Sequence, residues 1–227
     1  MNTRRWVRVF VPVTALAGVG VWGVFSSPQR AQAEGSGEEA MILRGFQIAP
    51  VPLNMSGKRA ELVGLGSYLV NAASDCNSCH NSGQPPNFDY ASGGNPYMFA
   101  LGSNLPQPKK VNPATYMGGG QSFFTVDGGD PSPADPEIIS RNLTPDKTGR
   151  AEGGHTLAEF IQIIRTGVDM DHAHPILPAP FDPNVLQVMP WPTFQNMSNH
   201  DLEAIYEYLS AIPCLEGGPG EPPNRCQ

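Results

Sequence analysis

The stretch Cys76-Asn77-Ser78-Cys79-His80 decides how the rest of the chain is read. Two thiols three positions apart, with a histidine directly after the second, form the attachment pattern of a c-type haem. The sulfurs become thioethers to the porphyrin vinyl groups, and the imidazole binds iron from the proximal side. Two other chemistries use the same spacing. A zinc half-site needs a second C-x-x-C or a histidine pair at ligand spacing, which the sequence lacks. A thioredoxin-like redox pair needs a βαβ setting, whereas the flanks here read as helical and then loop-rich. Cys76, Cys79 and His80 are therefore the candidate cofactor-binding residues, His80 also an iron ligand, and the expected cofactor is one covalent haem c.

Upstream, the spacing predicts a helix over residues 58–73 that delivers Cys76. Leu62, Leu65, Leu69 and Ala72 fall on one face at helical spacing. Gly64 and Gly66 each cost about 1 kcal/mol relative to alanine inside a helix, which points to close approach of another helix. Before it, residues 34–57 read as an N-terminal extension: polar and Gly-rich at first, then, over 41–53, packing without regular structure.

The N-terminus carries an export pattern. Arg4, Arg5 and Arg8 precede an uncharged apolar run over residues 9–25, and Ala31-Gln32-Ala33 supplies an A-x-A cleavage site. Residues 1–33 are expected to be a signal peptide cleaved after Ala33, or an N-terminal anchor if uncleaved, since the run sits near the ~17-residue limit for spanning a bilayer. Haem is attached to such chains outside the cytoplasm before folding, so general secretion fits better than twin-arginine export, and the periplasm is the expected location. Loss of four arginines and no acids moves the formal charge from −7 to −11. That balance excludes nucleic acid and favours protein docking; a membrane enters only if the N-terminal segment is retained. The remaining ~194 residues suit one domain. With 25 glycines and 24 prolines, much of the fold must be irregular.

Downstream, residues 81–136 form a long Gly/Pro-rich insertion with short strand potential around 123–126. Thr156 with Glu159 makes a capping box before the apolar face of Leu157, Phe160, Ile161 and Ile164, and Gly167 stops that helix. Ser198 with Asp201 opens the last helix, lined by Leu202, Ile205, Tyr206 and Leu209. Cys214 and Cys226, close together in an exported chain, favour a disulfide that ties the 214–227 tail to the last helix.

An electron-carrying haem needs a sixth ligand. The candidates are Met189, Met170, Met197, His172 and His174, and Met189 is favoured because Pro190-Trp191-Pro192 would hold its thioether on a stiff loop. Met197, just before the N-cap, has a structural role open to it as a staple onto Leu202. Trp191 and Arg141 are candidate partners for haem propionates, or else a packing tryptophan and a surface arginine. His155 and His200 belong to helix starts.

Taken together, the helix ending in C-x-x-C-H, Asn142-Leu143-Thr144-Pro145-Asp146, Met189-Pro190-Trp191 and the Met197–Leu209 pattern resemble a monohaem class I-like cytochrome c. The likeness covers residues 58–80 and 140–213 and is nearest to the domains found alone or as electron-transfer subunits of periplasmic dehydrogenases. The resemblance implies a mainly α domain around one covalent haem over residues 58–213, with His80 and Met189 as axial ligands. It also implies a right-angled crossing of first and last helices that sets Gly64 or Gly66 against Tyr206 or Tyr208. The implied function is electron transfer without catalysis, to a dehydrogenase, an oxidase or another cytochrome. The dehydrogenase subunits often hold three haem sites, and a single C-x-x-C-H favours a stand-alone carrier. The alternative is a haem enzyme or ligand sensor with an open or displaceable sixth position.

Overall fold

The computed structural model describes residues 28–80, 113–123, 138–168, 184–217 and 224–227, and the single positions 111, 170 and 182. The apolar run and charged start of the export segment, most of the 81–136 insertion, and His172 and His174 lie outside the described residues. The architecture is mainly α: α1 (Pro28–Ile48), α2 (Ala60–Tyr68), α3 (the single turn Ala151–Gly154), α4 (Leu157–Thr166), α5 (Trp191–Phe194) and α6 (Asn199–Leu209). One two-stranded antiparallel ribbon joins β1 (Ser122–Phe123) to β2 (Ile138–Ile139), with Ser122 opposite Ile139. Among the described residues no helix is long and apolar enough to cross a membrane.

Glycines bring three helices together. A Cβ on Gly66 would stand 1.9 Å from the Ala204 carbonyl oxygen and 2.7 Å from the Tyr208 Cβ, so α2 and α6 touch backbone to backbone. Gly66 against Tyr208 is one of the pairings the resemblance implied. Gly64 performs the same service on another face of α2, where its Cβ would meet Ile42 and Phe46 of α1 at 2.7 and 2.8 Å. Gly45 answers from α1, its virtual Cβ 1.8 Å from the Gly64 oxygen, and the Ser67 hydroxyl donates to the Gly45 carbonyl at 2.7 Å.

Residues 41–53, expected to lack regular structure, are thus helical as far as Ile48. The glycines that weaken α1 as a helix in isolation are the residues that let it seat on α2; packing overrides propensity. An exposed contact between the His200 imidazole and Glu38, at 3.1 Å, ties the start of α6 to α1.

Both sequence-predicted capping boxes form. In α4 the Glu159 amide donates to the Thr156 hydroxyl oxygen, while the Glu159 carboxylate accepts from the Thr156 amide at 2.7 Å; Gly167 closes the helix at φ 69°. In α6, Ser198 and Asp201 exchange the equivalent bonds. Both helices turn apolar faces inward: Phe160, Ile163 and Ile164 of α4, and Leu202, Ile205, Tyr208 and Leu209 of α6, are buried.

Two outcomes test this account. Gly66→Ala should remove more than about 3 kcal/mol, because the clash is with backbone that cannot swing aside. Gly37→Ala, which meets nothing within 4 Å in α1, should be neutral or raise stability by up to about 1 kcal/mol; thermal denaturation of the two variants reads the contrast. The Thr156 amide and hydroxyl hold the Glu159 carboxyl below its ordinary pKa. A depressed folded-state value gives stability that is present above about pH 4.5 and lost as pH falls through the folded value. Glu159→Gln should flatten that limb of the stability–pH curve.

Candidate functional site

After Tyr68 the helix widens into a π turn, Leu69–Ala73, closed by the Ser74 amide on the Leu69 carbonyl at 2.8 Å. The extra residue sets half-buried Asn71 against the buried tyrosines Tyr116 and Tyr208. Its amide nitrogen donates to the Ser67 carbonyl (2.9 Å) and to the Tyr208 hydroxyl (3.1 Å), and its oxygen accepts from the Tyr116 hydroxyl at 2.6 Å. The two tyrosine hydroxyls lie 2.8 Å apart, and burial pushes both phenols above their ordinary pKa. A polar cluster in the interior is tolerable only when its members satisfy one another, as here.

Asp75, at φ 47°, turns the chain out of the helix. The Cys76 carbonyl then accepts from the amides of Cys79 (3.2 Å) and His80 (3.0 Å), so the C-x-x-C-H segment wraps around one oxygen. Asn77, between the cysteines, is buried, and its side-chain oxygen accepts the Met117 amide at 3.1 Å. Cys76 and Cys79 are half-buried and are not bonded to each other, whereas Cys214 and Cys226 form the expected disulfide.

The His80 Nδ1 lies 2.9 Å from the Arg141 carbonyl oxygen. A carbonyl only accepts, so Nδ1 carries the proton and Nε2 keeps its lone pair. Burial lowers the His80 pKa, which keeps the ring neutral. The protein thus fixes the ring through Nδ1 and sets the direction of the Nε2 lone pair. Gly119 makes it sterically possible. Its φ is +66°, a Cβ there would stand 2.3 Å from the Arg141 carbonyl carbon, and its amide donates to the His80 carbonyl at 3.3 Å.

Cys76, Cys79 and His80 line a cavity of about 350 Å³, within the range of cofactor sites. Ile138 and Ile139 of β2, Leu143, Phe160 and Ile164 of α4, and Leu202, Ile205 and Leu209 of α6 make its wall mostly apolar. Met189 lines the same cavity within the continuous stretch 186–190, and so does Met197, which also packs against the cluster containing Leu202. Arg141 reaches it; Met170 and Trp191 are not among its lining residues.

Trp191 braces the methionine loop instead. Its indole N–H donates to the Leu186 carbonyl at 3.2 Å, and its ring lies so close over Gly167 that a Cβ there would stand 2.2 Å away. The Leu186 amide closes the brace on the Gly167 carbonyl at 2.7 Å.

Sequence reasoning did not foresee Asn71, Tyr116, Gly119 or the Arg141 carbonyl as parts of the site. Gly118-Gly119-Gly120 was the one visible signal, and it reads only as punctuation without the partner peptide. Among the described residues, no group of three or more His, Cys, Asp or Glu side chains converges to hold a metal ion.

No family model matches the chain, and no solved structure matches it. Two curated proteins do. The chain is 37% identical over 72 residues to the cytochrome c subunit of alcohol dehydrogenase (quinone) from Gluconacetobacter polyoxogenes, and equally to that from Komagataeibacter europaeus. The chain shares a stretch with cytochrome c proteins. That stretch is 32% of this chain and 13% of each relative, so the chain spans only a small part of their length.

Gly167→Ala should move the Trp191 indole and with it residues 186–190. The left-handed backbone alone costs roughly 1–2 kcal/mol, and the clash adds to it. Thermal unfolding of the variant reads the loss; an unchanged melting temperature would contradict the contact.

Proposed function

We propose that the chain carries one covalently attached c-type haem and serves as an exported, periplasmic electron-transfer protein rather than an enzyme. The observation that supports this most is the meeting of Cys76, Cys79, His80 and Met189 on one largely apolar cavity. The donor chemistry fits the group: two thiols at attachment spacing that are not joined in a disulfide, and a neutral imidazole whose Nδ1 is already engaged. When bound, the haem iron supplies the one-electron couple.

The chain's own residues do the remaining work. Cys76 and Cys79 hold the porphyrin covalently. His80 would ligate the iron through Nε2, with Arg141 fixing its tautomer and ring orientation. Met189 would supply a thioether ligand, which favours the reduced state and raises the potential. Phe160, Ile164, Leu202 and Ile205 exclude water, which lowers the local dielectric and the reorganisation that accompanies a change of charge. The acidic balance of the mature chain fits docking to a redox protein. The names of its two relatives, subunits of a quinone-dependent dehydrogenase, support a dehydrogenase as one such partner.

Absorption spectra of periplasmically expressed protein test the reading. The wild type should retain haem after acidic acetone extraction, and Cys76→Ser with Cys79→Ser should lose it. The oxidised protein should show the weak long-wavelength band of methionine-ligated ferric haem, abolished in Met189→Ala and kept in Met197→Ala. Carbon monoxide should bind the reduced wild type poorly. Ready carbon monoxide binding, with the band absent, would favour the open-site enzyme or sensor instead.

A further inference from the structure

We propose that the disulfide-tied C-terminal tail is a positioning device for the proximal histidine, acting through the Arg141 carbonyl. The inference rests on the haem reading above and goes beyond it by giving residues 214–217 and 224–227 a part in tuning the site.

The acceptor of the His80 Nδ1 proton lies on a segment with little regular structure. Residues 140–146 run from the end of β2 to the turn before α3, and their place is set by what grips them from either side. On one side is the 115–119 turn, where the Met117 carbonyl accepts the Leu143 amide at 2.8 Å and Gly119 abuts the Arg141 peptide. On the other side is the tail. The Asn142 side-chain amide donates to the carbonyls of Leu215 (3.0 Å) and Gly217 (3.1 Å), and the Leu215 amide donates to the Thr144 hydroxyl at 3.1 Å. The Arg225 guanidinium donates to the Thr144 carbonyl, and the Arg225 carbonyl accepts the Lys147 amide at 2.7 Å.

Arg225 is only 3% exposed, an unusual place for an arginine unless its position is enforced. The enforcement is visible. Cys226, its neighbour, is bonded to Cys214 across 12 residues, and the Glu216 carboxylate accepts the amides of both Arg225 (3.0 Å) and Cys226 (3.3 Å). The crosslink removes chain entropy that docking would otherwise have to overcome, and the docked tail holds Asn142 and Thr144 directly beside the acceptor. Asn142 and Thr144 are also joined internally, the Thr144 hydroxyl donating to the Asn142 side-chain oxygen at 2.6 Å.

A well-placed acceptor on Nδ1–H makes the imidazole a more basic ligand, which favours ferric iron. Loosening the tail should therefore weaken this bond and raise the reduction potential, while the thioethers at Cys76 and Cys79 stay intact.

The test uses the haem-loaded protein and reads covalent haem content, melting temperature and midpoint potential. The Cys214→Ser, Cys226→Ser double variant should keep its haem and shift the ferric–ferrous equilibrium toward ferrous by up to about tenfold, equivalent to about 59 mV for one electron. Arg225→Ala, which leaves the disulfide in place, should shift it in the same direction, and Arg225→Lys should recover part of the shift. Ile42→Ala, which removes a contact between α1 and α2 outside both the cavity lining and the tail, should lower the melting temperature and leave the potential unmoved. Unchanged potentials in both tail variants, with haem attached, overturn the tail inference and spare the haem reading. A wild type without covalent haem overturns both.

Discussion

Everything in this fold depends on a helix crossing to which α2 contributes no side chain. At Gly66 the backbone of α2 rests on the backbone of α6 at Ala204, and any substituent would have to occupy the Ala204 carbonyl oxygen. A contact that close fixes the rotation of α2 about its own axis as well as its position. The rotation then decides where the next turn sends Asn71 and where Cys76 emerges. α1 applies the same constraint to another face through Gly45 and Gly64, so α2 is a helix clamped from two sides whose far end carries the reactive residues.

The clamp continues as a hydrogen-bonded chain. Asn71, Tyr116 and Tyr208 join the π turn, the 115–119 turn and α6 into one network, buried at the two tyrosines. Met117, next to Tyr116, passes the constraint to Asn77 inside the cysteine loop and to Leu143 beside the Arg141 peptide. Deleting one member of such a network leaves its neighbours unsatisfied in a low dielectric, so the loss exceeds that of a single bond. The cysteine loop is thereby held by residues far apart in the chain, which is what keeps a five-residue segment with one short turn in a defined shape.

Much of this was legible in the amino-acid sequence, and what was not has a common cause. The capping boxes at Thr156 and Ser198, the stop at Gly167, the Cys214–Cys226 pair and the glycine-mediated approach of α2 follow from local spacing, and the structure contains them. The helix α1 did not follow, because its glycines oppose helix formation until α2 is present to receive them. The Arg141 carbonyl was equally invisible: a backbone acceptor has no side-chain signature, and its partner in sequence lies 61 residues away. Arg225 reads as an ordinary tail arginine until the tail is seen folded onto Thr144. Local chemistry is written in local sequence; contacts made by main chain across distant segments are not.

The seat of Trp191 on Gly167 carries a consequence for how this molecule can be watched. The chain contains three tryptophans, and Trp6 and Trp22 both fall within residues 1–33. If residues 1–33 are removed, as proposed, Trp191 is the sole indole; it is anchored by a hydrogen bond to the segment bearing Met189 and by contact with Gly167. The protein thus contains its own optical label, set on the loop whose detachment would open the cavity. A chromophore in that cavity would quench the emission, so a change in its intensity would report movement of this one loop.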